Sequence, residues 1–115
     1  MDERLKNALD FSNYVITLNN HKRVLHEKYH DSTIFYYNGG KFTINQPLIC
    51  FCKTLLDLEQ EEAVLIDDDM VPVSIPNIKE FMNKILSTYT TATNNYLAEY
   101  YKLIKNRSVA GIVDL

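Results

Sequence analysis

The chain has 115 residues, 46% of them apolar and 23% charged, with 15 acidic against 12 basic side chains and a formal net charge of −3. That length suits a single domain with one hydrophobic core, and the composition excludes a disordered or low-complexity segment. The net negative charge gives no overall attraction to nucleic-acid phosphates or an anionic membrane, so nucleic-acid binding would need a local patch.

The opening "MDERLKNALD" is charged and lacks the apolar run of a secretory signal, and no later stretch is long and apolar enough to span a bilayer. The expectation is therefore a protein kept inside a cell, without membrane attachment. From Leu5, apolar residues recur as Ala8, Phe11, Val15, Leu18, Leu25, Tyr29 and Tyr36, a stripe in three- and four-residue steps that predicts a long helix seeking a partner. Asp2 is a fair N-cap, and Lys22 interrupts the stripe. Two readings exist for where the helix ends. Because Tyr29 and Tyr36 keep the same seven-residue phase, the favoured one runs the helix to about Asn38, with Gly39 as its left-handed terminator. The other makes Asn38-Gly39 the turn of a hairpin pairing Ile34–Tyr37 with Lys41–Ile44.

A short strand is expected around Phe42–Ile44. Asn45 or Gln46 then caps a second helix with Pro47 in its first turn and Leu48, Phe51, Cys52, Leu55 and Leu56 on its buried face, before the acidic "DLEQEE". Val64–Ile66 reads as a buried strand. Val71, Val73 and Ile75 alternate as a half-buried one, so the two predict a β-hairpin with Pro72 on an edge. Asn77 followed by Glu80 resembles a capping box, and Pro76 with Phe81 a hydrophobic staple. They open a long helix in which Ile78, Met82, Ile85, Tyr89, Ala92, Tyr96 and Leu103 follow a seven-residue repeat, with Lys102, Lys105 and Arg107 complementing its dipole. At ~1.5 Å per residue the first and last helices reach about 45–50 Å each, which invites antiparallel pairing. The expected fold is α+β: two long antiparallel helices forming a helical hairpin, with a small inserted strand-helix-β-hairpin unit.

Several constellations bear on chemistry. His26-Glu27-Lys28-Tyr29-His30 spells H-E-x-x-H, in which two histidines one turn apart hold zinc and the glutamate activates water. A zincin helix usually carries uncharged residues at the x positions, whereas Lys28 occupies one here and Arg23 and Asp31 bracket the segment. Glu59, Glu61, Glu62 and Glu80 are available as a third ligand, but none stands in a recognisable motif, so exposed histidines without metal are expected. Asp67-Asp68-Asp69 lacks the alternating ligand spacing of an EF-hand and reads as a solvated turn. Cys50 and Cys52, two apart on a helix, point to different faces and read as buried reduced thiols. The eight tyrosines (Tyr14, Tyr29, Tyr36, Tyr37, Tyr89, Tyr96, Tyr100 and Tyr101) read first as packing along the helix seam and second as an exposed aromatic strip for a protein partner. Lys102, Lys105 and Arg107 beside Tyr100 and Tyr101 form the one candidate patch for single-stranded nucleic acid. The closing "VAGIVDL" reads as an added strand, within the fold or offered to a partner.

The segments "MDERLKNALDFSNY", "NGGKF", "VLIDDDMVPVSIPNIKEF" and "YYKLIKNRSV" resemble small uncharacterised proteins of T-even-type phages, particularly those of marine cyanobacteria. That resemblance implies a viral protein acting in a host cytoplasm or built into a particle, and it carries no site residues. The reading favoured from the residues is a non-enzymatic module without catalytic residues, cofactor or metal. It would bind a protein partner, whether a host or phage protein or a second copy in a homodimer through the same seven-residue stripe, as an assembly accessory or small regulator. The alternatives are a minimal zinc metallopeptidase using His26, Glu27 and His30, and a nucleic-acid-binding accessory.

Overall fold

The computed structural model describes the backbone of residues 2–114 and the side chains of residues 2–105. The elements run α1 (Glu3–Ser32), β1 (Ile34–Tyr37), β2 (Gly40–Thr43), α2 (Gln46–Asp57), β3 (Ala63–Ile66), β4 (Pro72–Ile75) and α3 (Ile78–Asp114). This is the expected α+β plan, in which two long helices embrace a small inserted unit. Lys28 meets Glu99, Tyr29 meets Tyr96 and Lys22 lies over Tyr100, so residue numbers climb on α1 as they fall on α3 and the two helices are antiparallel.

The molecule is a rod with a head at one end, 69 × 24 × 18 Å overall. Its radius of gyration of 21.1 Å far exceeds the ~13 Å of a compact chain of this length. In the head, α2, the two hairpins and the first turns of α3 enclose a core of Phe42, Ile44, Cys52, Leu65, Val73, Ile75, Ile78, Phe81 and Ile85. Phe81 sits at its centre, with the rings of Phe35, Tyr37 and Phe42 meeting it edge-on at 5.9, 5.2 and 5.5 Å. Edge-to-face geometry suits the ring quadrupoles, and each such pair adds ~0.5–1.5 kcal/mol beyond area burial.

The favoured reading of residues 33–44 is overturned. α1 stops at Ser32, and Phe35 pairs with Phe42 and Tyr37 with Gly40 in an antiparallel hairpin. Asn38 and Gly39 take φ of 46° and 80°, the two positive angles of a type I′ turn, so Gly39 turns a hairpin rather than ending a helix. The heptad phase of Tyr36 was coincidental: it is 71% exposed, while its neighbours Phe35 and Tyr37 pack on the core. Thr33 makes the transition. Its amide and hydroxyl donate to the His30 carbonyl at 3.1 and 2.7 Å, and its own carbonyl accepts the Ile44 amide at 2.8 Å.

Side-chain placement differs from expectation in four further places. Leu65 is buried but Val64 and Ile66 face outward, so β3 is half-buried, like the two-stranded sheet it shares with β4. On α2 Cys52 is buried, whereas Phe51 and Cys50 are exposed. Val71 lies before β4 and is exposed. Asp67, expected in water, is 6% exposed. Its Oδ1 accepts the amides of Asp69 and Val71 at 2.9 and 2.8 Å, and its Oδ2 accepts that of Lys41 at 3.0 Å. Asp68 continues the junction by accepting the Thr43 amide and hydroxyl at 3.1 and 2.5 Å. The two carboxylates thus take the place of a neighbouring strand along β2 and lock one hairpin to the other. The N–H donors hold the Asp67 carboxyl below its usual range, Lys41 contributing most, against the opposing effect of desolvation.

Helix ends follow local chemistry. Asp2 accepts the Arg4 amide at 3.1 Å, Asn45 that of Leu48 at 2.8 Å and Asn77 that of Glu80 at 3.0 Å. Glu80 itself turns to Lys84, at 2.9 Å. α2 closes in a Schellman arrangement, with Glu59 donating to Leu56 and Gln60 to Leu55, and Glu59 takes a positive φ of 61° where glycine is usual.

Candidate functional site

The stalk formed by α1 and α3 has one internal seam. On α3 the expected repeat faces inward: Ile85 and Ala92 are buried, and Met82, Tyr89, Tyr96 and Leu103 half-buried. On α1, Val15, Leu18, Leu25 and Tyr29 answer it. Tyr29 and Tyr96 pack with ring centroids 4.8 Å apart, and Tyr100 meets Tyr96 edge-on at 6.5 Å. Burial, together with a hydrogen bond to Tyr89, pushes the Tyr29 hydroxyl above its ordinary pKa. Lys22, which broke the stripe in the sequence, places its ammonium 5.8 Å from the Tyr100 ring centroid. It covers the seam by stacking rather than by apolar contact.

Away from this stretch the stalk is thin. None of the residues of α1, all of them described, is buried. Leu5, Leu9, Phe11, Ile16 and Val24 are exposed, Phe11 to 68% although it stands in the expected stripe. On α3, Leu86, Leu97 and Tyr101 are exposed, and an open groove of about 430 Å³ runs between Tyr29, Thr93, Tyr96, Leu97 and Tyr100.

His26 and His30 are exposed on α1. Glu27 lies 3.8 Å from Arg23, and Lys28 is paired with Glu99 across the seam, so the charged residues of the H-E-x-x-H segment engage the stalk itself. Among the described residues no three His, Cys, Asp or Glu are grouped to hold a metal ion. Glu59, Glu61 and Glu62 sit after α2, and Glu80 is engaged by Lys84 in the head. Burial raises the pKa of the Cys52 thiol, which favours the protonated, weakly nucleophilic form. Comparison with family models, curated proteins and solved structures finds no match. The geometry of the chain alone therefore carries the functional argument.

The tyrosines divide between the seam and isolated exposed positions, without forming one strip. Tyr29, Tyr89, Tyr96 and Tyr100 line the seam, while Tyr36 and Tyr101 stand in solvent. Lys102 and Lys105 are exposed near Tyr101, whereas the Arg107 side chain lies outside the described residues; the backbone of "VAGIVDL" continues α3 to Asp114, so the strand expected there is overturned. Among the described residues no helix is long and apolar enough to cross a membrane. Sequence reasoning missed the flank of α3 that carries Leu86 and Leu97. Its signal was present in the residue spacing but hidden by threonines.

Proposed function

We propose that the protein is a non-enzymatic protein–protein interaction module whose helical stalk is the binding element. The observation that carries this reading is the surface area. The chain exposes 8371 Å², whereas a compact monomer of 13.4 kDa is expected to expose about 6,500 Å². The difference, about 1,900 Å², compares with the ~800 Å² per partner of a standard protein interface. Exposed Leu5, Leu9, Phe11 and Ile16 on a helix without buried residues are an expensive surface to leave in water, and a protein partner would cover it. As setting we propose the cytoplasm of a phage-infected cell, where the module would serve as an assembly accessory or as a regulator of a host protein.

The test is capture of the full chain from expressing cells, followed by mass measurement of the intact species. The expected result is a complex heavier than one 13.4 kDa chain, lost when exposed apolar side chains of the stalk are replaced by Glu on the face that the partner covers. A chain that remains a monomer both in lysate and after purification would overturn the reading.

A further inference from the structure

Resting on that interaction reading, we infer that the partner is a second copy of this chain. It docks antiparallel along a flank of α3, bringing the two α3 helices together at the centre of a four-helix assembly.

The seam side of α3 presents Ile85, Tyr89, Ala92, Tyr96, Glu99 and Leu103 toward α1. Advancing each position by one residue gives Leu86, Thr90, Thr93, Leu97, Tyr100 and Ile104, which repeat in steps of four, three, four, three and four residues. One residue is a turn of about 100° around a helix, so α3 carries two parallel heptad faces roughly a right angle apart. A helix in a two-helix hairpin needs one such face. A helix in a four-helix bundle needs two, one for each neighbour. α1 takes the first, and the second is open: Leu86 is 39% and Leu97 50% exposed, with Thr93, Tyr100 and Ile104 half-buried at the edge of the Tyr29 groove.

Three features select a second copy as the occupant. From Ile85 through Ala98 the sequence contains no Asp, Glu, Lys or Arg. From Leu86 to Leu97 such a face imposes no charge pattern on its partner and brings no like charges together when it meets itself, although each chain carries −3 overall and Lys22 borders the face at Tyr100. The face is also self-complementary about a two-fold axis level with Asn95. Leu97 then meets Thr93 of the other copy, Tyr100 meets Thr90 and Leu86 meets Ile104, so that in two of the three pairs a large side chain lies against a small one, as interdigitating layers require. Finally, the face spans about 27 Å from Leu86 to Ile104, about five helical turns along which a second helix can lie. Antiparallel docking carries the two heads to opposite ends of the bundle, where they do not compete for space.

The experiment uses the purified full chain alone. Sedimentation equilibrium is expected to give twice the 13.4 kDa chain mass. Leu97→Glu, at the centre of the face and half in solvent already, should leave the circular dichroism unchanged and weaken dimerisation by roughly 100-fold. Ile16→Glu, on the far side of α1, should leave the dimer intact. In a Cys50→Ser background, a mixture of Thr93→Cys and Leu97→Cys chains should form a covalent dimer on mild oxidation. A monomeric purified chain that still enters a complex in cells overturns this inference and leaves the interaction reading standing. A monomer in both settings overturns both. A dimer that survives Leu97→Glu with no Thr93-to-Leu97 cross-link overturns the assignment to this face.

Discussion

The carboxylate of Asp67 accepts the backbone amide of Lys41 at 3.0 Å, joining the turn after β3 to the edge of β2. Two isolated two-stranded hairpins are marginal in water, and this bond, with its neighbours at Asp68, makes them one unit. Asp67→Asn keeps the shape but has one acceptor oxygen where three amides need two. The variant should melt several degrees lower at neutral pH. Because the folded-state pKa of Asp67 is depressed, its stabilisation is fully present above the unfolded value of about 3.9 and is lost as pH falls through the lower folded value. The gap in melting temperature between wild type and variant should therefore close progressively as pH falls below about 4 in a series of thermal melts.

Gly40 and Gly39 should respond differently to alanine. A Cβ at Gly40 would lie 2.5 Å from Cγ2 of Val73, a stiff buried side chain, and 3.1 Å from the Phe42 ring. Gly40→Ala should cost ~1–3 kcal/mol through overpacking and be partly rescued by Val73→Ala in a double-mutant cycle. At Gly39 nothing lies within 4 Å, but φ is +80°. Gly39→Ala should cost about 1–2 kcal/mol, with no rescue by Val73→Ala.

Glu59 holds a left-handed conformation at the end of α2, with its side chain exposed. Glycine there removes the steric penalty while loosening the unfolded chain, so Glu59→Gly should raise stability by up to ~1 kcal/mol in chemical denaturation.

Glu27→Gln should change stability by less than about 0.5 kcal/mol, since Glu27 is exposed and its partner Arg23 is 3.8 Å away on the same helix. Under the interaction reading, zinc added to the purified protein should leave the melting temperature unchanged. A stoichiometric zinc-dependent rise, abolished by His26→Ala or His30→Ala, would restore the metallopeptidase alternative.

The long elements were legible because their signals are local. The heptad of α3 from Ile78 to Leu103, the caps at Asp2, Asn45 and Asn77 and the β3–β4 hairpin all rest on short-range periodicity or single side chains. Residues 34–44 were misjudged because Tyr36 happened to fall in the helical phase. What decided the matter was tertiary: Phe35 and Tyr37 pack on Phe81, 44 to 46 positions along the chain. Asp67 could not be seen as buried because its donors at Lys41 lie across a contact that composition does not encode. At the surface, the second face of α3 was obscured by Thr90 and Thr93, which count as polar in a hydropathy pattern yet pack readily beside Leu86 and Leu97.

Thr33 is the joint at which α1 enters the head, and Asp2 caps the other end about 45 Å away. Mechanically the first helix is a lever. Tension applied at its amino end would act through that long arm, loading the thin seam with α3, and the Tyr29–Tyr96 contact within it, more directly than the buried ring cluster around Phe81.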